Sequence, residues 1–488
     1  MPFLGVQLKR GVKQHLYLQL YQQIKKAIAQ GQLKEGQKLP AIRLMAEQLN
    51  LNNVTVVKAY QLLEEEGLVI KKVGSGTYIA PLAGRGGDWV LAEEEIELMN
   101  QGQISLQSDI INFATATPDP ELFPIDDIKV AINYVLDRDG GKVFGYQDSQ
   151  GYRPLRQAIE DYLARQEIKS QAKNIQVVSG AQQGIDILAK SFLDYGDVVF
   201  AEEPTYPGAI SAFKSRGARI VSIPIQEDGL DIETLEARLA EYRPRFLYVM
   251  STLQNPTGYS YSEEKKKRII ELSQRRNLTI VEDDSLSELY FKGQAERSLK
   301  SFDTAQQVIY IKSFSKIFLP GFRIAFMVMP DEMTTKTIAA KHLSDIFSSS
   351  LIQRTFDRLL REGLWEQHLG GMREIYRQKY LFFSRLLEEH LAGLLQYRLP
   401  VGGLNFWLSL PAGISSSRLF KYSQVEGVSF APGSIFFADG KANRFFRLSI
   451  ASLEKEQMVK GIEILTRVCR KLINEGGKKG EIRYTPLL

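Results

Sequence analysis

A lysine flanked by hydroxyl and guanidinium side chains is the strongest candidate for chemistry in this sequence. It lies in IKSFSKIFLPGFR, residues 311–323, where a β-rich run precedes Lys316. A primary amine after a buried strand can form a Schiff base with an aldehyde. Ser313, Ser315 and Arg323 can donate hydrogen bonds to a phosphate, and the guanidinium of Arg323 can do so in a bidentate manner. The segment predicts a site for a molecule that carries an aldehyde and a phosphate; the alternative is a surface Ser-Lys turn.

A second motif, VVSGAQQGIDILAK, supplies a further place for a phosphate. We expect a strand to end at Ser179-Gly180 and a helix to begin at Ala181. The free backbone N–H groups of Gly180, Ala181 and Gln182 would then point at an anion. A glycine before a helix can also be only a turn.

Two more motifs carry groups suited to an aromatic nitrogen ring. In VEDDSLSEL, a carboxylate at the end of a strand can pair with a pyridinium nitrogen, or it can simply cap a helix. In STLQNPTG, Asn255 can donate to a ring hydroxyl, although most Asn-Pro pairs are turns. Tyr206 in EEPTYPG can stack on the ring or belong to the core. With Lys316, these groups meet the needs of one cofactor, pyridoxal 5'-phosphate.

An arginine near the C-terminus is the candidate for binding a substrate. The string FFRLSIAS places Arg447 in a strand. Its fork of N–H donors could hold a carboxylate, and the alternative is a salt bridge at the edge of a sheet.

The elements around these motifs predict an α/β fold with a mainly parallel sheet. Runs of β-branched and aromatic residues alternate with helical stretches, and the alternation is typical of such a sheet. The runs are IQVVSG, VVFAEE, RIVSIPI, FLYVMS, LTIVED, VIYIKS and RIAFMVM.

Residues 110–470 resemble the fold-type I aminotransferases in these motifs and in INFATATPDPELFP, GYQDSQGYRPLRQAIEDYL and PVGGLNFWL. The resemblance implies a small α+β C-terminal subdomain and makes Asp283, rather than Asp284, the partner of the pyridine nitrogen. It gives the other candidate residues the cofactor, phosphate and carboxylate roles described above. It also implies that Tyr146 reaches a phosphate across a dimer interface. The family usually has a tyrosine after EDD, where this chain has Ser285 and Leu286. This loss weakens the case for efficient transamination because it removes a hydrogen-bond donor.

The first 80 residues predict a small helical domain with a β-hairpin. Leu20, Ile24, Ala27 and Ile28 form an apolar stripe over residues 16–31. We expect a second helix over 40–49 and a third over 53–66, which ends before Gly67. Two β-rich runs around the GSG at 74–76 complete a winged helix-turn-helix. A generic helical domain with a solvated polar face is the alternative.

The sequence of this domain resembles the GntR family of bacterial repressors over the segment GQLKEGQKLPAIRLMAEQLNLNNVTVVKAYQLLEEEGLVIKKVGSGTYI. This resemblance implies that the domain binds a double-stranded DNA operator through the second and third helices and the wing. The implied contacts are Arg43, Asn52, Asn53, Thr55, Lys58, Lys71, Lys72, Ser75 and Thr77. The family often has Ser-Arg at the position of Asn52-Asn53, and Asn and Arg read different bases, so the operator sequence cannot be borrowed.

A GntR-like domain, called the head below (residues 1–80), followed by an aminotransferase-like domain resembles the arrangement of the MocR subfamily of regulators. We therefore divide the chain into a winged helix-turn-helix domain at 1–80, a linker at 81–108 and a cofactor-binding domain at 109–475. A tail at 476–488 follows, and a short helix around 93–100 is expected within the linker. The resemblance also implies a homodimer.

Composition and charge are consistent with this organisation. Hydrophobic residues make up 44% and charged residues 24%, and no apolar run is long enough to span a membrane. Residues 1–80 carry a net charge of +6, which leaves the other 408 near −1 and favours a polyanionic partner for the head. One cysteine and four histidines argue against disulfides and a structural zinc site. The N-terminus lacks the features of a secretion leader, and we expect a cytoplasmic protein.

Three functions follow from these motifs. The first is a transcription regulator that senses pyridoxal phosphate, or an amino acid that forms an aldimine with it. The second is an aminotransferase with an appended DNA-binding domain. The third is a GntR repressor with an empty pocket, against which the intact set of Lys316, Asp283 and Arg323 argues.

Overall fold

The computed structural model describes residues 8, 15–29, 32–33, 36–65, 68–72, 76–79, 110–292, 296–440 and 443–476. The chain divides into two compact units, Met1–Leu91 and Ala92–Leu488. The predicted linker at 81–108, with its short helix, lies outside the described residues, as does the tail after residue 476. Those boundaries therefore stay predictions.

The first unit has the predicted three helices. Their apolar stripes, including Leu20, Ile24, Val56 and Leu63, are buried together in one core. The second helix begins two residues later than predicted because Ala41 still has an extended backbone, with φ −58° and ψ 146°. The helices are α1 (Leu16–Ala29), α2 (Ile42–Leu49) and α3 (Asn53–Glu65).

An antiparallel hairpin completes this unit. Strand β1 (Val69–Lys72) pairs with β2 (Gly76–Ile79) in a register that sets Val69 opposite Ile79. Backbone hydrogen bonds from Leu39 to Thr77 (2.9 Å) and from Ile79 to Gln37 (2.8 Å) tie the segment before α2 to β2. This arrangement is the predicted winged helix-turn-helix.

The second unit is built on an eight-stranded sheet with the order β4-β11-β10-β9-β8-β5-β6-β7. Neighbours are parallel from β10 to β6, whereas β11 and β7 run antiparallel to their neighbours. All seven predicted strands are present, and the two-residue β7 was too short to be predicted. The strands are β4 (Ile175–Val178), β5 (Val198–Glu203), β6 (Arg219–Gln226), β7 (Gly229–Leu230), β8 (Leu247–Val249), β9 (Ile280–Asp284), β10 (Val308–Ser313) and β11 (Ala325–Val328).

Both faces of this sheet are buried, which explains why its strands read as continuous apolar runs. Ile309 and Ile311 of β10 pack in one core cluster, while Tyr310 between them packs in another. The covering helices are α4 (Ile125–Asp139), α5 (Arg153–Ala164), α6 (Ala181–Phe192), α7 (Pro207–Lys214), α8 (Ile232–Glu241), α9 (Glu263–Arg276), α10 (Asp331–Asp345), α11 (Ser350–Arg361) and α12 (Leu364–Leu391).

A smaller α+β subdomain follows, as the resemblance implied. Its antiparallel sheet has the order β12-β13-β16-β15, and β14 pairs with β3 (Ile111–Asn112) from the start of the unit. The free Cys469 is buried in its last helix. The elements are β12 (Gln396–Tyr397), β13 (Asn405–Ser409), α13 (Ser416–Val425), β14 (Val428–Ser429), β15 (Ala431–Pro432), β16 (Phe445–Ser449) and α14 (Lys455–Gly476).

Candidate functional site

The carboxyl ends of the parallel strands bring the predicted motifs to one edge of the large sheet. Ser179 follows β4, Tyr206 follows β5 and Asn255 follows β8. Asp283 is the second-last residue of β9, and Lys316 follows β10. Ligands of α/β sheets bind at this edge because the loops after the strands converge there. Motifs spread over 138 residues of sequence thus face a common site.

Arg323 and the loop after β4 form the candidate phosphate site. The Nη2 atom of Arg323 donates to the backbone oxygen of Ser179 at 2.9 Å. Gly180 has a φ of 91°, and a Cβ placed there would lie 2.3 Å from the same Nη2 atom. Glycine is therefore required both by the backbone conformation and by the approach of the guanidinium.

The start of α6 lies beside this pair. Its N-cap residue, Gly180, has no side chain to bond the first N–H groups, so those of Ala181 and Gln182 are suited to an anion. The side chain of Gln182 donates to the backbone oxygen of Gly208 at 3.0 Å, which fixes the start of α6 against α7. The hydroxyl of Ser315 has no hydrogen-bond partner among the described residues, although it is buried. Ser313 is buried and accepts from the backbone N–H of Ser315 at 3.3 Å.

Asp283 and Asp284 are both buried, but their surroundings differ. Asp284 binds the ammonium of Lys312 at 3.1 Å and accepts from the hydroxyl of Tyr310 at 2.6 Å. Asp283 accepts from Tyr248 at 2.6 Å through Oδ2, while its Oδ1 has no partner in the described part of the chain. Burial raises the pKa of Asp283 to about 6. Asp283 is therefore the carboxylate with an oxygen left for a cationic ligand atom.

Lys316 is half-buried and lies three residues after the end of β10 at Ser313. Burial, together with the nearby cations Arg447 and Arg323, lowers its pKa to about 8. A substantial fraction of this amine is therefore neutral near physiological pH, which is the form that attacks an aldehyde.

Arg447 lies in β16, an inner strand of the small sheet, and is 6% exposed. Its guanidinium donates to Asn255 Oδ1 at 2.9 Å and to the backbone oxygen of Ala114 at 2.5 Å. No carboxylate pairs with it among the residues described, which removes the alternative of a strand-edge salt bridge. Burial lowers its pKa to about 10, so it stays cationic at neutral pH.

Tyr206 is half-buried beside these groups. Burial and the charge of Asp283 raise its pKa to about 12, and Arg323 and Arg447 oppose part of this rise. The electrostatic influence of all three residues places the phenol within the same cluster. Lys316, Asp283, Tyr206, Asn255, Arg323 and Arg447 are thus brought together.

Two contacts of this site were not predicted from the sequence. Tyr248 contacts Asp283, and its only sequence cue is its place in the strand FLYVMS next to β9. Ser348 lies between α10 and α11, and its hydroxyl shares a 3.0 Å hydrogen bond with that of Ser179. Its segment gave no motif in the sequence.

Tyr146 lies outside the cluster. Its side chain is 84% exposed, and its ring lies edge to face with that of Phe347. The predicted contact is with the site of a second copy, so it stays a prediction. After EDD, where the family usually has a tyrosine, Leu286 is buried in the core and Ser285 is half-buried.

In the first unit, several predicted DNA contacts are exposed. Arg43 on α2 and Lys58 on α3 are exposed, as are Asn52, Asn53 and Lys71. Asn52 uses its Oδ1 to accept from the backbone N–H of Val54 at 2.9 Å. Lys71 binds Glu64 at 2.5 Å, and the ammonium of Lys58 lies over the ring of Tyr17. Thr55 is half-buried.

One of these predictions needs correction. The side chain of Thr77 is only 8% exposed, because the strand alternation of β2 turns it toward the body of the unit. It is therefore removed from the set of side chains that contact DNA. Ser75 and the side chain of Lys72 lie outside the described residues.

Within the described ranges, no group of His, Cys, Asp and Glu is arranged to hold a metal ion. None of the helices described is long and apolar enough to cross a membrane.

Comparison with known proteins identifies both units. The model of the gntR family of bacterial regulatory proteins matches residues 16–79, and that of aminotransferase class I and II matches residues 108–465. A 2-aminoadipate transaminase of Thermus thermophilus is 35% identical over 395 residues, which are 80% of this chain and 97% of that protein. The probable rhizopine catabolism regulatory protein MocR of Rhizobium meliloti is 29% identical over 480 residues, 96% of this chain and 97% of the relative.

A solved structure supports the same assignment. The α-aminoadipate aminotransferase LysN from Thermus thermophilus, crystallised with N-(5'-phosphopyridoxyl)-L-leucine, superposes with a TM-score of 0.74 at 34% identity. The match covers 80% of this chain and 98% of LysN.

The cofactor that this fold family implies is pyridoxal phosphate, and the groups described above fit it. Among the described residues, Asp283 Oδ1 and the Ser315 hydroxyl have no partner; the former suits a pyridinium nitrogen, and the latter, with Arg323, suits a phosphate. The chain therefore belongs to the class I and II aminotransferase family and, with its GntR head, has the domain arrangement of the MocR subfamily.

Proposed function

We propose that this chain is a pyridoxal-phosphate-dependent, DNA-binding transcription regulator that responds to the cofactor or to an amino acid bound to it. The observation that carries the proposal is the buried Asp283 Oδ1, which has no partner among the described residues and lies at the same sheet edge as Lys316, in a chain that also has a GntR head. An empty scaffold has no need of such an atom, because an unpaired buried carboxylate oxygen destabilises the fold.

In this proposal the large sheet holds the cofactor at its edge. Lys316 is the amine that attaches it, Asp283 pairs with the ring nitrogen and Tyr206 lies on the ring. Ser313, Ser315, Arg323 and the N–H groups of Gly180, Ala181 and Gln182 hold the phosphate. When bound, pyridoxal phosphate supplies an aldehyde that captures primary amines and a ring that withdraws electrons from them.

Arg447 would select the second ligand. Its buried cation has no carboxylate partner in the described structure, and the ammonium of Lys316 is close enough for the two to affect each other. A molecule with a carboxylate and a primary amine satisfies both positions, which describes an amino acid. The paired N–H donors of an arginine favour a carboxylate over a neutral group.

The head would bind the operator as part of a homodimer. Its net charge of +6 over residues 1–80 attracts phosphates, and exposed Arg43, Asn53 and Lys58 are the candidates for contact. Ligand binding would shift the balance between two dimer states that present the heads differently to DNA. A protein that binds chromosomal operators in a bacterium acts in the cytoplasm.

The second candidate function is an aminotransferase. It is favoured by the 35% identity to the 2-aminoadipate transaminase and by the presence of Lys316, Asp283 and Arg447 in one cluster. Against it stands the buried aliphatic Leu286, which cannot supply the hydroxyl that the family usually has after EDD.

Two measurements separate the candidates. The purified chain is mixed with each of a panel of amino acids, and conversion of the bound cofactor is followed by absorbance in a single turnover. Steady-state turnover is then measured with an added keto acid. A regulator gives slow conversion and negligible turnover, with operator affinity that changes when the amino acid is added. Rapid turnover, with operator affinity independent of the amino acid, would reverse the order of the two functions.

A further inference from the structure

Two tyrosines on neighbouring strands each contact one of two consecutive aspartates. Strand β9 lies between β8 and β10, and its alternation turns Asp283 and Asp284 to opposite faces. Tyr248 of β8 donates to Asp283 Oδ2 at 2.6 Å, and Tyr310 of β10 donates to Asp284 Oδ2 at 2.6 Å. The two phenols are both fully buried.

The two aspartates depend on these hydroxyls to different degrees. Asp284 also binds Lys312 at 3.1 Å and accepts from the backbone N–H of Ser287 at 3.1 Å, so it keeps two partners without Tyr310. For Asp283, the hydroxyl of Tyr248 is the one hydrogen-bond donor found among the described residues. Without it, both oxygens of Asp283 would be unpartnered.

The hydroxyl of Tyr248 is itself fixed by packing. Its ring contacts Phe213 edge to face, with centroids 5.6 Å apart. A phenylalanine at this position would keep that packing and remove only the donor. The same holds for Tyr310, whose ring contacts Phe326 at 6.5 Å.

We infer that Tyr248 is a positioning residue for the cofactor, since its hydroxyl holds Asp283 Oδ2 and leaves Oδ1 for the ring nitrogen. This inference rests on the proposed function, because it needs pyridoxal phosphate in the site. The same hydrogen bond stabilises the charged form of the carboxyl and opposes the rise in pKa that burial causes. Removing this hydrogen bond should leave Asp283 less well oriented toward the pyridinium nitrogen and less often in its charged form.

The test compares Tyr248→Phe with Tyr310→Phe in the full chain. Each variant loses one buried hydroxyl and one hydrogen bond to an aspartate and keeps the aromatic ring. The dissociation constant for pyridoxal phosphate is measured by absorbance between pH 5 and 8, and the free energy of unfolding is measured without cofactor. We expect Tyr248→Phe to raise the dissociation constant about tenfold and Tyr310→Phe less than about twofold.

The pH profile gives a readout that a purely structural role would not move. Asp283 must be charged to pair with the ring nitrogen, so affinity falls as the pH drops through its pKa. We expect the midpoint of this loss to lie at higher pH in Tyr248→Phe than in the wild type, and to stay in place in Tyr310→Phe. The cofactor's own titrations are common to all three proteins and cancel.

Equal weakening in the two variants, or an unmoved midpoint in Tyr248→Phe, would overturn the inference while leaving the proposed function intact. Failure of the wild-type chain to bind pyridoxal phosphate would overturn both.

Discussion

Arg447 donates to Asn255 Oδ1 at 2.9 Å and so joins the small C-terminal sheet to the loop after β8. Because the amide oxygen of Asn255 accepts this bond, its amide nitrogen is left to act as a donor. That orientation is the one needed to hydrogen-bond a ring hydroxyl. One contact thus links the candidate carboxylate site to the candidate cofactor site.

Substituting Arg447 by lysine should separate amino-acid binding from cofactor binding. Lysine keeps the charge but loses the fork of donors and the bond to Asn255. We expect the yellow cofactor to be retained and the affinity for the amino acid that changes its spectrum to fall at least about tenfold. Titration of the absorbance with amino acids measures this, and an unchanged affinity would argue against a carboxylate at Arg447.

Asp283 should lower the stability of the cofactor-free protein at neutral pH. Its pKa rises from 3.8 to about 6, so the folded state holds this proton more tightly than the unfolded state does. The resulting stabilisation is full below pH 3.8 and is lost as the pH rises through 6. The difference corresponds to about 3 kcal/mol. Asp283→Asn should therefore stabilise the cofactor-free chain increasingly as the pH rises from 3.8 through 6, and by a constant amount at higher pH, as measured by denaturant unfolding.

Asp284→Asn is the matched control for that variant. It removes one of the two carboxylates that bind the buried ammonium of Lys312, the other being Glu288 at 2.6 Å, so it should destabilise the chain instead. Asp283→Asn should also weaken cofactor binding. If the two variants change the free energy of unfolding in the same direction, the charged Asp283 does not destabilise the cofactor-free chain as proposed.

Gly180→Ala should weaken binding through the phosphate. A Cβ at this position would lie 2.3 Å from Arg323 Nη2, and the φ of 91° is unfavourable for alanine. We expect affinity for pyridoxal phosphate to fall at least about tenfold, and affinity for pyridoxal, which has no phosphate, to change much less. Gly321→Ala is the control, because nothing lies within 4 Å of its added Cβ. Equal losses for the two ligands would show that Gly180 does not serve the phosphate.

Arg43→Ala should weaken operator binding with the cofactor spectrum unchanged. Arg43 is exposed on α2, and a lost phosphate contact should reduce the salt dependence of binding by about one ion. Gln48→Ala, an exposed change on the same helix, is the control. Binding is measured on DNA fragments retained from the organism's own genome. If Arg43→Ala matches the wild type at each salt concentration, α2 does not contact DNA through this residue.

The elements of the fold were predictable because their patterns are local. The stripes of α1 and α3 repeat at helical spacing, and the runs around Asp283 and Lys316 have the apolar character of strands buried on both faces. The start of α2 was misplaced by two residues because Ala41 has an extended backbone that no local pattern reveals. The burial of Thr77 was missed because it depends on which face of the hairpin packs inward.

The chemistry of the site was predictable where one residue type has few other uses, as for Lys316 and Arg447. The contacts that orient those residues were not. Tyr248 and Asp283 are 35 residues apart, and their contact follows from the strand order, which the sequence does not state. Ser348 reaches Ser179 from a turn between two helices, where no motif marks it.

The most direct test of the account is to locate the cofactor on the chain. The native protein, loaded with pyridoxal phosphate, is reduced with borohydride and digested, and the peptides are analysed by mass spectrometry. We expect a phosphopyridoxyl adduct on Lys316 of the wild-type protein and none at this position in Lys316→Ala. The yield of the wild-type adduct should depend on pH and follow the pKa of the Lys316 amine, which is about 8. An unmodified Lys316 in the reduced wild-type protein would contradict it.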